Sequence, residues 1–281
     1  MMDEKTLRSA EVLFDLAYAE DIGDGDITTN NLINPGENRT AQFVAKAKGI
    51  IAGLPVAEMV FKKFDKNVEW KELVPDGSEV EPGDIIAEFK GSYRALLTGE
   101  RKALNFLQRL SGIASYARLC MKEIEGTKVE ILDTRKTLPG YRYLDKYAVR
   151  MGGASNHRFG LYDMVMIKDN HIQVAGGITA AVEAIRKHVP KSIKIEVETS
   201  NIEQVKEALA ADVDIIMLDN MSSSQMKECV KLINKRAKIE ASGNMTIKRI
   251  RKVAHTGVDY ISIGALTHSV KALDISQRII D

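Results

Sequence analysis

The segment ILDTRKTLPGYR (residues 131–142) runs from an apolar stretch into three cationic side chains, Arg135, Lys136 and Arg142, around a Pro-Gly turn. Such a group suits an anionic ligand, because the planar guanidinium of arginine binds two oxygens of a carboxylate or phosphate at once. The chain as a whole is nearly neutral, with 40 Lys and Arg against 39 Asp and Glu. This balance argues against nucleic acid or an anionic membrane as partner, so any anion site must be local.

Five further apolar runs in the second half of the chain also end in polar or glycine positions. One charged residue after a strand is usually a solvated loop, but six consecutive runs that end this way indicate a site. In a parallel barrel the carboxyl ends of the strands face one mouth, where active sites are built. The residues at the six ends are Asp133–Lys136, Lys168–His171, Glu196 with Glu198, Asp219–Asn220, Ser242–Asn244 and Gly264–Ala265.

The cations at these ends predict an anionic substrate. Arg135, Lys136, Arg158 and Lys168, with His157 close by, could offer several donors to carboxylates or phosphates. The opening cluster therefore has a function: its charge would bind substrate anions.

Glu198 and Asp219 end successive apolar runs, where unpaired buried carboxylates would be costly. They need a cation or a hydroxyl, and the substrate or a metal ion could supply it. Two carboxylates without clustered His or Cys favour Mg²⁺ over zinc. We therefore expect Mg²⁺ as cofactor, held directly or indirectly by this pair.

Two small turns, Ser242-Gly243-Asn244 and Gly264-Ala265, precede helix-like segments and could bind phosphate through backbone N–H groups. Each turn alone is weak evidence, because a strand-to-helix turn often requires a glycine for other reasons.

The elements that must position these residues alternate regularly. Strand-like runs occur at VEIL, MVMIK, IKIEVE, IIMLD, KIEAS and YISIGA, and amphipathic segments with helical spacing separate the last four. This alternation is typical of βα units around a parallel sheet. Six strands are fewer than the eight of a full barrel, so an unusual six-stranded open α/β barrel competes with a doubly wound sheet. No Gly-x-Gly-x-x-Gly follows a strand, which favours the barrel. The SNIE segment (residues 200–203) has the form of a capping box and predicts a helix start.

The first hundred residues contain no repeating unit. Helical spacing in residues 5–21, alternation from Arg39, and two short strand-like runs separated by PDG and PGD turns predict a mixed α/β domain. A long helix is predicted from about Tyr93 to Glu125, and Trp70 is expected to pack in the core of this domain.

Cys120 and Cys229 lie far apart in helix-like segments, which argues against a disulfide or zinc framework. The sequence has no apolar run long enough to span a membrane and no signal-peptide pattern at its start. These features predict a cytoplasmic protein.

The segments DTRKTLPGYR, GGASNHRFGLYDMVMIKDNHI, IEVET, IMLDN, EASGNMT and GVDYISIGALTHS resemble quinolinate phosphoribosyltransferase, the carboxylating nicotinate-nucleotide pyrophosphorylase family. AEDIGDGDITT and LTGERKALNFLQRLSGIA resemble it as well, so the likeness covers essentially the whole chain in matching order. Departures are small, such as GGAS, where the family tends to keep a further glycine, and Thr199, and neither removes a charged group.

The resemblance implies two domains. An N-terminal α/β sandwich would cover residues 1–110, and the α/β barrel would cover residues 111–268. A C-terminal helix over residues 269–281 would pack back on the first domain. The family builds its site across a homodimer, or a hexamer formed as a trimer of dimers, with Arg101 completing the partner's site.

The implied reaction converts quinolinate and phosphoribosyl pyrophosphate (PRPP) into nicotinate mononucleotide, pyrophosphate and CO₂ with Mg²⁺. Lys136, Glu198 and Asp219 would be catalytic, with the two acids holding the ribose hydroxyls and the metal. The substrate-binding residues implied by the resemblance are Arg101, Thr134, Arg135, Lys136, His157, Arg158, Lys168, Glu198, Asp219, Ser242, Gly243, Asn244, Ile263, Gly264, Ala265 and His268.

Three alternatives remain open from the residues. A phosphoribosyltransferase of the same fold could use nicotinate or another pyridine acid, because some of the cations serve phosphates. A phosphate-binding barrel isomerase or synthase would explain the glycine turns but would explain the cations and the Glu198–Asp219 pair less well. A biotinyl or lipoyl carrier is disfavoured, since the segment VPDGSEVEPGDIIAEFKG lacks the Met-Lys-Met that such a carrier commonly has at its hairpin tip.

Overall fold

The structure is a computed structural model that describes residues 2–281. The helices of this range are α1 (Glu4–Asp21), α2 (Ile27–Leu32), α3 (Leu54–Phe64), α4 (Tyr93–Lys122), α5 (Arg142–Met151), α6 (Asp169–Ala175), α7 (Ile178–Arg186), α8 (Ile202–Ala210), α9 (Ser223–Ile233), α10 (Ile247–Ala254) and α11 (Ala265–His268). The strands are β1 (Asn38–Ala45), β2 (Gly49–Ile50), β3 (Glu69–Glu72), β4 (Glu79–Val80), β5 (Ile85–Ser92), β6 (Glu130–Leu132), β7 (Val165–Ile167), β8 (Ile195–Thr199), β9 (Ile215–Asp219), β10 (Lys238–Ser242), β11 (Tyr260–Ser262) and β12 (Ile275–Ile279).

The chain divides into two compact units that are each built from separate stretches of sequence. The first unit contains the residues up to Arg118 together with Thr137–Gly153 and Leu266–Asp281, and the second contains Leu119–Lys136 and Ala154–Ala265. This division differs from a boundary after residue 110, because α4 continues through that point and the segment around α5 joins the first unit.

The first unit is organised around a four-stranded antiparallel sheet with strand order β12-β1-β5-β3. Its core contains an aromatic cluster: Phe89 lies 4.6 Å from Phe61, 4.8 Å from Phe43 and 5.0 Å from Trp70 between ring centroids. Offset and tilted aromatic contacts of this kind stabilise a core beyond their buried area. Trp70 therefore packs in this domain, as the sequence predicts.

The helix expected over residues 269–281 is wrong, because Ile275–Ile279 form β12. This strand pairs antiparallel with β1, with Ala41 opposite Ile279 and Ala45 opposite Ile275. Alternating Ile275, Gln277 and Ile279 fit the period of a half-buried strand, and pairing supplies hydrogen bonds that a short terminal helix would lack. The segment does return to the first unit, but by strand pairing.

The second unit contains a six-stranded parallel sheet with order β6-β11-β10-β9-β8-β7. The six predicted strand runs are confirmed in type and position, and β6 and β7 are the edge strands of an open sheet. A helix is the next element along the chain after each of these six strands, so the carboxyl ends of the strands carry the βα turns.

Helix α8 begins at the predicted place, but its cap differs. Asn201 is the N-cap and accepts a hydrogen bond from the Gln204 backbone N–H, while the Gln204 side chain accepts from Ser200. The capping pattern is thus shifted by one residue from the Ser200–Glu203 pair. Helix α9 carries a complete capping box between Ser222 and Gln225.

Candidate active site

Strand register brings the predicted acidic pair together at the carboxyl end of the sheet. Glu198 lies opposite Met217 on β9, two residues before Asp219, and Asp219 lies opposite Ser242 on β10. Because side chains two residues apart share a face, Glu198, Asp219 and Ser242 project from the same face of the sheet. The residues come from three successive strands, as the sequence predicts.

Lys168 follows β7 and forms an ion pair with Glu198, with 2.8 Å between Nζ and Oε2. Both side chains are partly exposed, at 46% for Lys168 and 21% for Glu198. Burial and the neighbouring charge of Glu198 raise the pKa of Asp219, while Lys168 and Lys136 act in the opposite direction. Two acids and two lysines therefore share one accessible corner. Such an arrangement can bind a cation through its carboxylates and an anion through its ammonium groups.

The two guanidinium groups of Arg135 and Arg158 are half-buried and lie close enough to interact. Burial lowers the pKa of Arg158, and the charge of Arg135 lowers it further, whereas Glu196 and Asp163 raise it. Arg158 Nη1 also donates to the Met164 carbonyl at 2.9 Å. Two neighbouring, partly exposed guanidinium groups can offer several donors at once, so this pair suits a ligand with carboxylate or phosphate groups.

Asp133 connects the two cationic segments. Its carboxylate is fully buried and accepts hydrogen bonds from Asn156 Nδ2 at 2.7 Å and from the His157 backbone N–H at 2.9 Å. Since Asp133 immediately precedes Thr134 and Arg135, these bonds fix the residue 133–136 turn against residues 156–158. Thr134 Oγ1 accepts from the Lys136 N–H at 3.1 Å within the same turn.

Gly243 is required at its position in the turn after β10. Its φ is +88°, and a Cβ there would lie 2.1 Å from Asn220 Oδ1. The neighbouring Asn244 also has positive φ and donates through Nδ2 to Asn220 Oδ1 at 3.2 Å. Arg249 also holds this turn in place, because its guanidinium group donates to the carbonyls of Gly243 at 2.7 Å and Met221 at 2.8 Å.

The turn after β11 is fixed through its backbone. Ile263 has a buried side chain, and its N–H donates to the Leu132 carbonyl at 2.9 Å. Only backbone atoms of Ile263 can therefore face a ligand. Gly264 and Ala265 follow at the start of α11.

Two predicted site residues belong to the first unit. Arg101 is exposed on α4, and His268 is exposed at the end of α11, with Nδ1 2.7 Å from Ser269 Oγ. Their proposed roles remain predictions.

His157 is nearly buried, and its ring Nε2 lies 3.1 Å from Glu196 Oε2 and 3.2 Å from Glu240 Oε2. These three residues form a group of potential metal-ligating side chains within residues 2–281, separate from the Glu198–Asp219 pair. Sequence reasoning named Glu196 without a role and missed Glu240 and Arg249. A glutamate in the middle of the apolar strand KIEAS is the signal that could have identified Glu240.

The quinolinate phosphoribosyl transferase C-terminal domain matches residues 113–278, and the N-terminal domain of the same family matches residues 26–111. The chain belongs to the quinolinate phosphoribosyltransferase family.

Individual relatives agree with this assignment. A probable carboxylating nicotinate-nucleotide pyrophosphorylase from Synechocystis is 48% identical over 93% of this chain and 90% of its own length. The Bacillus subtilis protein described in the same words is 45% identical over 93% of this chain and 90% of its length. The solved structure of the nicotinate-nucleotide pyrophosphorylase from Francisella tularensis matches with a TM-score of 0.94 at 40% identity, covering 98% of this chain and 97% of that one. The predicted fold class and family are thereby confirmed.

None of the helices formed by residues 2–281 has the length and apolarity needed to cross a membrane.

Proposed function

We propose that the charged side chains at the carboxyl ends of β6–β10 carry out the reaction of the family to which the chain belongs. This reaction transfers the phosphoribosyl group of PRPP to quinolinate with loss of CO₂, and it yields nicotinate mononucleotide and pyrophosphate for NAD biosynthesis. The observation that carries the proposal is the close pair of half-buried guanidinium groups, Arg135 and Arg158, beside a corner that contains both lysines and acids. Quinolinate has two carboxylates and PRPP has several phosphate charges, so both reactants are complementary to these cationic side chains.

In the proposed mechanism, Arg135, Arg158 and Lys168 orient the pyridine acid so that its ring nitrogen faces the ribosyl carbon. Correct orientation of two bound reactants can supply several kcal/mol of the barrier reduction. The C–O bond to pyrophosphate breaks through an oxocarbenium-like state, and Lys136 stabilises the negative charge of the departing pyrophosphate. Glu198 and Asp219 hold the ribose hydroxyls, while the turns at Ser242–Asn244 and Ile263–Ala265, with His268, bind the 5′-phosphate region.

Decarboxylation follows glycosylation in this proposal. Once the ring nitrogen is alkylated, the C–C bond to the adjacent carboxylate breaks, CO₂ leaves, and the electron pair remains on the ring carbon beside the cationic nitrogen. A proton from solvent then completes nicotinate mononucleotide. Rapid-quench experiments test this order, because CO₂ release before pyrophosphate release would contradict it.

Glu198 and Asp219 fit a magnesium ion by their chemistry. Two carboxylates on neighbouring strands provide hard oxygen ligands, and burial together with the charge of Glu198 raises the pKa of Asp219, which a bound cation would offset. When bound there, Mg²⁺ would neutralise developing charge on pyrophosphate. We also propose that the protein acts in the cytoplasm as a homodimer or higher oligomer in which Arg101 completes the partner's site.

The direct test gives purified protein PRPP and Mg²⁺ with either quinolinate or nicotinate and follows products by mass spectrometry. We expect nicotinate mononucleotide from quinolinate with one CO₂ per nucleotide, and loss of this activity on chelation of Mg²⁺. Product from nicotinate alone would overturn the substrate assignment. No product from either acid would overturn the proposed reaction.

A further inference from the structure

A buried group of one histidine and two glutamates lies deeper in the sheet than the proposed substrate corner. We call His157, Glu196 and Glu240 the deep triad. Glu196 lies on β8 two residues before Glu198, and Glu240 occupies the middle of β10. The two glutamate side chains are fully buried and that of His157 is 6% exposed. Within residues 2–281, none of the four carboxylate oxygens of Glu196 and Glu240 has a partner that satisfies strict hydrogen-bond geometry, and their contact with His157 Nε2 is one of proximity, at 3.1 and 3.2 Å. Burial of two carboxylates is costly, so such a cluster requires a compensating role.

The hydrogen-bond partners of the His157 ring define which nitrogen carries a proton. The backbone N–H of Arg158 donates to Nδ1 at 2.7 Å, so Nδ1 is an acceptor. In a neutral imidazole the other nitrogen then carries the hydrogen, and Nε2–H points at Glu196 and Glu240. This tautomer leaves Nε2 no lone pair for a metal ion. In this form the members of the deep triad are joined by the approach of Nε2–H to two carboxylates, at 3.1 and 3.2 Å, and not through a metal ion.

The direction of the Nε2–H bond does not depend on whether the ring is charged. Burial opposes protonation of His157, whereas the nearby carboxylates of Glu196 and Glu240 favour it and raise its pKa. The contact at Nδ1 argues for the neutral ring, because a protonated Nδ1 could not accept from Arg158. In both forms Nε2 carries a hydrogen that faces the two carboxylates.

The segment that contains His157 is held from two sides. Asp133, after β6, binds the backbone N–H of His157 and the side chain of Asn156. Glu196 and Glu240, on β8 and β10, face the ring. These contacts come from the turn after β6 and from strands β8 and β10, and they leave residues 156–158 little freedom. The next side chain along the chain is Arg158.

We propose that Glu196 and Glu240 are positioning residues: by accepting the His157 Nε2–H they hold residues 156–158 so that Arg158 is presented beside Arg135 to the acid substrate. This inference rests on the proposed function for its kinetic consequence. The hydrogen-bond arrangement itself can be measured without any activity.

Two substitutions of Glu240 separate positioning from simple stability. E240Q retains an oxygen that accepts from Nε2–H, whereas E240L removes it at similar volume. We expect E240L to raise the KM for quinolinate by about tenfold or more, because small misplacements of an orienting group have large kinetic effects. The KM for PRPP should stay unchanged, and E240Q should restore the quinolinate KM to near that of the wild type.

The matched control is I233V, which removes one buried methylene-sized group from α9 in the same unit. It destabilises the barrel without touching the deep triad. If I233V raises the quinolinate KM as much as E240L does, or if E240L leaves that KM unchanged, the proposal is wrong.

The spectroscopic arm uses ¹⁵N-histidine NMR of wild type, E240Q and E240L, with H157N to assign the ring. We expect the ¹⁵N signals of an unprotonated Nδ1 and of an Nε2–H that contacts a carboxylate in wild type and E240Q. In E240L the Nε2–H signal should change. An unchanged signal in E240L would overturn the positioning role. A stoichiometric transition metal in the purified protein that is lost in E240L would also overturn it, in favour of a metal site. If quinolinate gives no nucleotide at all, the proposed function fails, and the NMR comparison alone decides the triad.

Discussion

Two layers of charge lie on one face of the barrel sheet, and they differ in how that charge is balanced. The deep triad lies inside the barrel, and its members face one another at 3.1 and 3.2 Å. The second group, which we call the mouth layer, consists of Lys168, Glu198 and Asp219 at the carboxyl ends of the strands. Glu196 and Glu198 are two residues apart on β8, so a single strand contributes to both layers.

The difference shows which charges serve the fold and which serve a ligand. The deep triad is enclosed, and its charges face one another, whereas the mouth layer is partly exposed and includes a carboxylate whose pKa is raised by burial and by its neighbour Glu198. Groups held at a cost to stability are typical of functional sites. Substitutions in the mouth layer should therefore impair activity more than stability, and substitutions in the deep triad should affect both.

The largest expected effect is that of D219N in the mouth layer. Loss of one carboxylate from the ribose and metal corner should lower kcat/KM by about 10²–10³-fold, as for removal of other groups that stabilise charge in a transition state. The same change should raise Tm at pH 7, because the raised pKa means that the folded protein disfavours the ionised Asp219. Steady-state kinetics and thermal unfolding of D219N test both parts, with the exposed D15N as control. A lower Tm in D219N would contradict the inference that the ionised Asp219 carboxylate destabilises the folded protein.

The next effect concerns the deep triad and the variant H157L. Removal of the ring leaves Glu196 and Glu240 buried without the neighbouring Nε2–H, which should cost about 3 kcal/mol of unfolding free energy, because unsatisfied buried groups are costliest when charged. Urea unfolding measures this cost, and H188L supplies a control at an exposed histidine. A loss no larger than that of H188L would mean that the triad does not depend on its histidine.

The smallest effect is that of K168M, which removes the cation beside Glu198. The KM for quinolinate should rise by about tenfold, consistent with loss of a hydrogen bond to a charged group. The unfolding free energy should change by less than about 1 kcal/mol, because the pair is partly exposed. Kinetics with each substrate varied in turn check this, and K187M on the surface provides the comparison. Equal increases in both KM values would argue that Lys168 serves PRPP as well.

Much of the barrel could be predicted from the sequence because its signals are local. Each of the six apolar runs is a strand in the structure, and the polar positions after Ile167, in β8 and at Asp219 lie at the carboxyl ends. Parallel topology then brings residues from distant segments to one edge without further information. The mouth layer is predictable for this reason.

The deep triad and the C-terminal strand were harder to predict, for different physical reasons. The contact of His157 with Glu240 depends on the strand order β10-β9-β8 and on the register between these strands. Neither can be read from a single sequence. The segment Ile275–Ile279 is too short for periodicity to separate helix from strand, and its structure is decided by β1, more than 200 residues away. The brace from Arg249 likewise depends on a long side chain that reaches backbone carbonyls across a turn.

The most direct test of the two-layer account is a crystal structure of the protein with quinolinate bound. We predict that the carboxylates of quinolinate contact Arg135, Arg158 and Lys168, and that Lys168 moves away from its 2.8 Å contact with Glu198. The distances from His157 to Glu196 and Glu240 should remain at 3.1 and 3.2 Å. Quinolinate bound away from these cations, or a deep triad that opens to contact it, would contradict the division between a layer that binds substrate and a layer that holds the site in place.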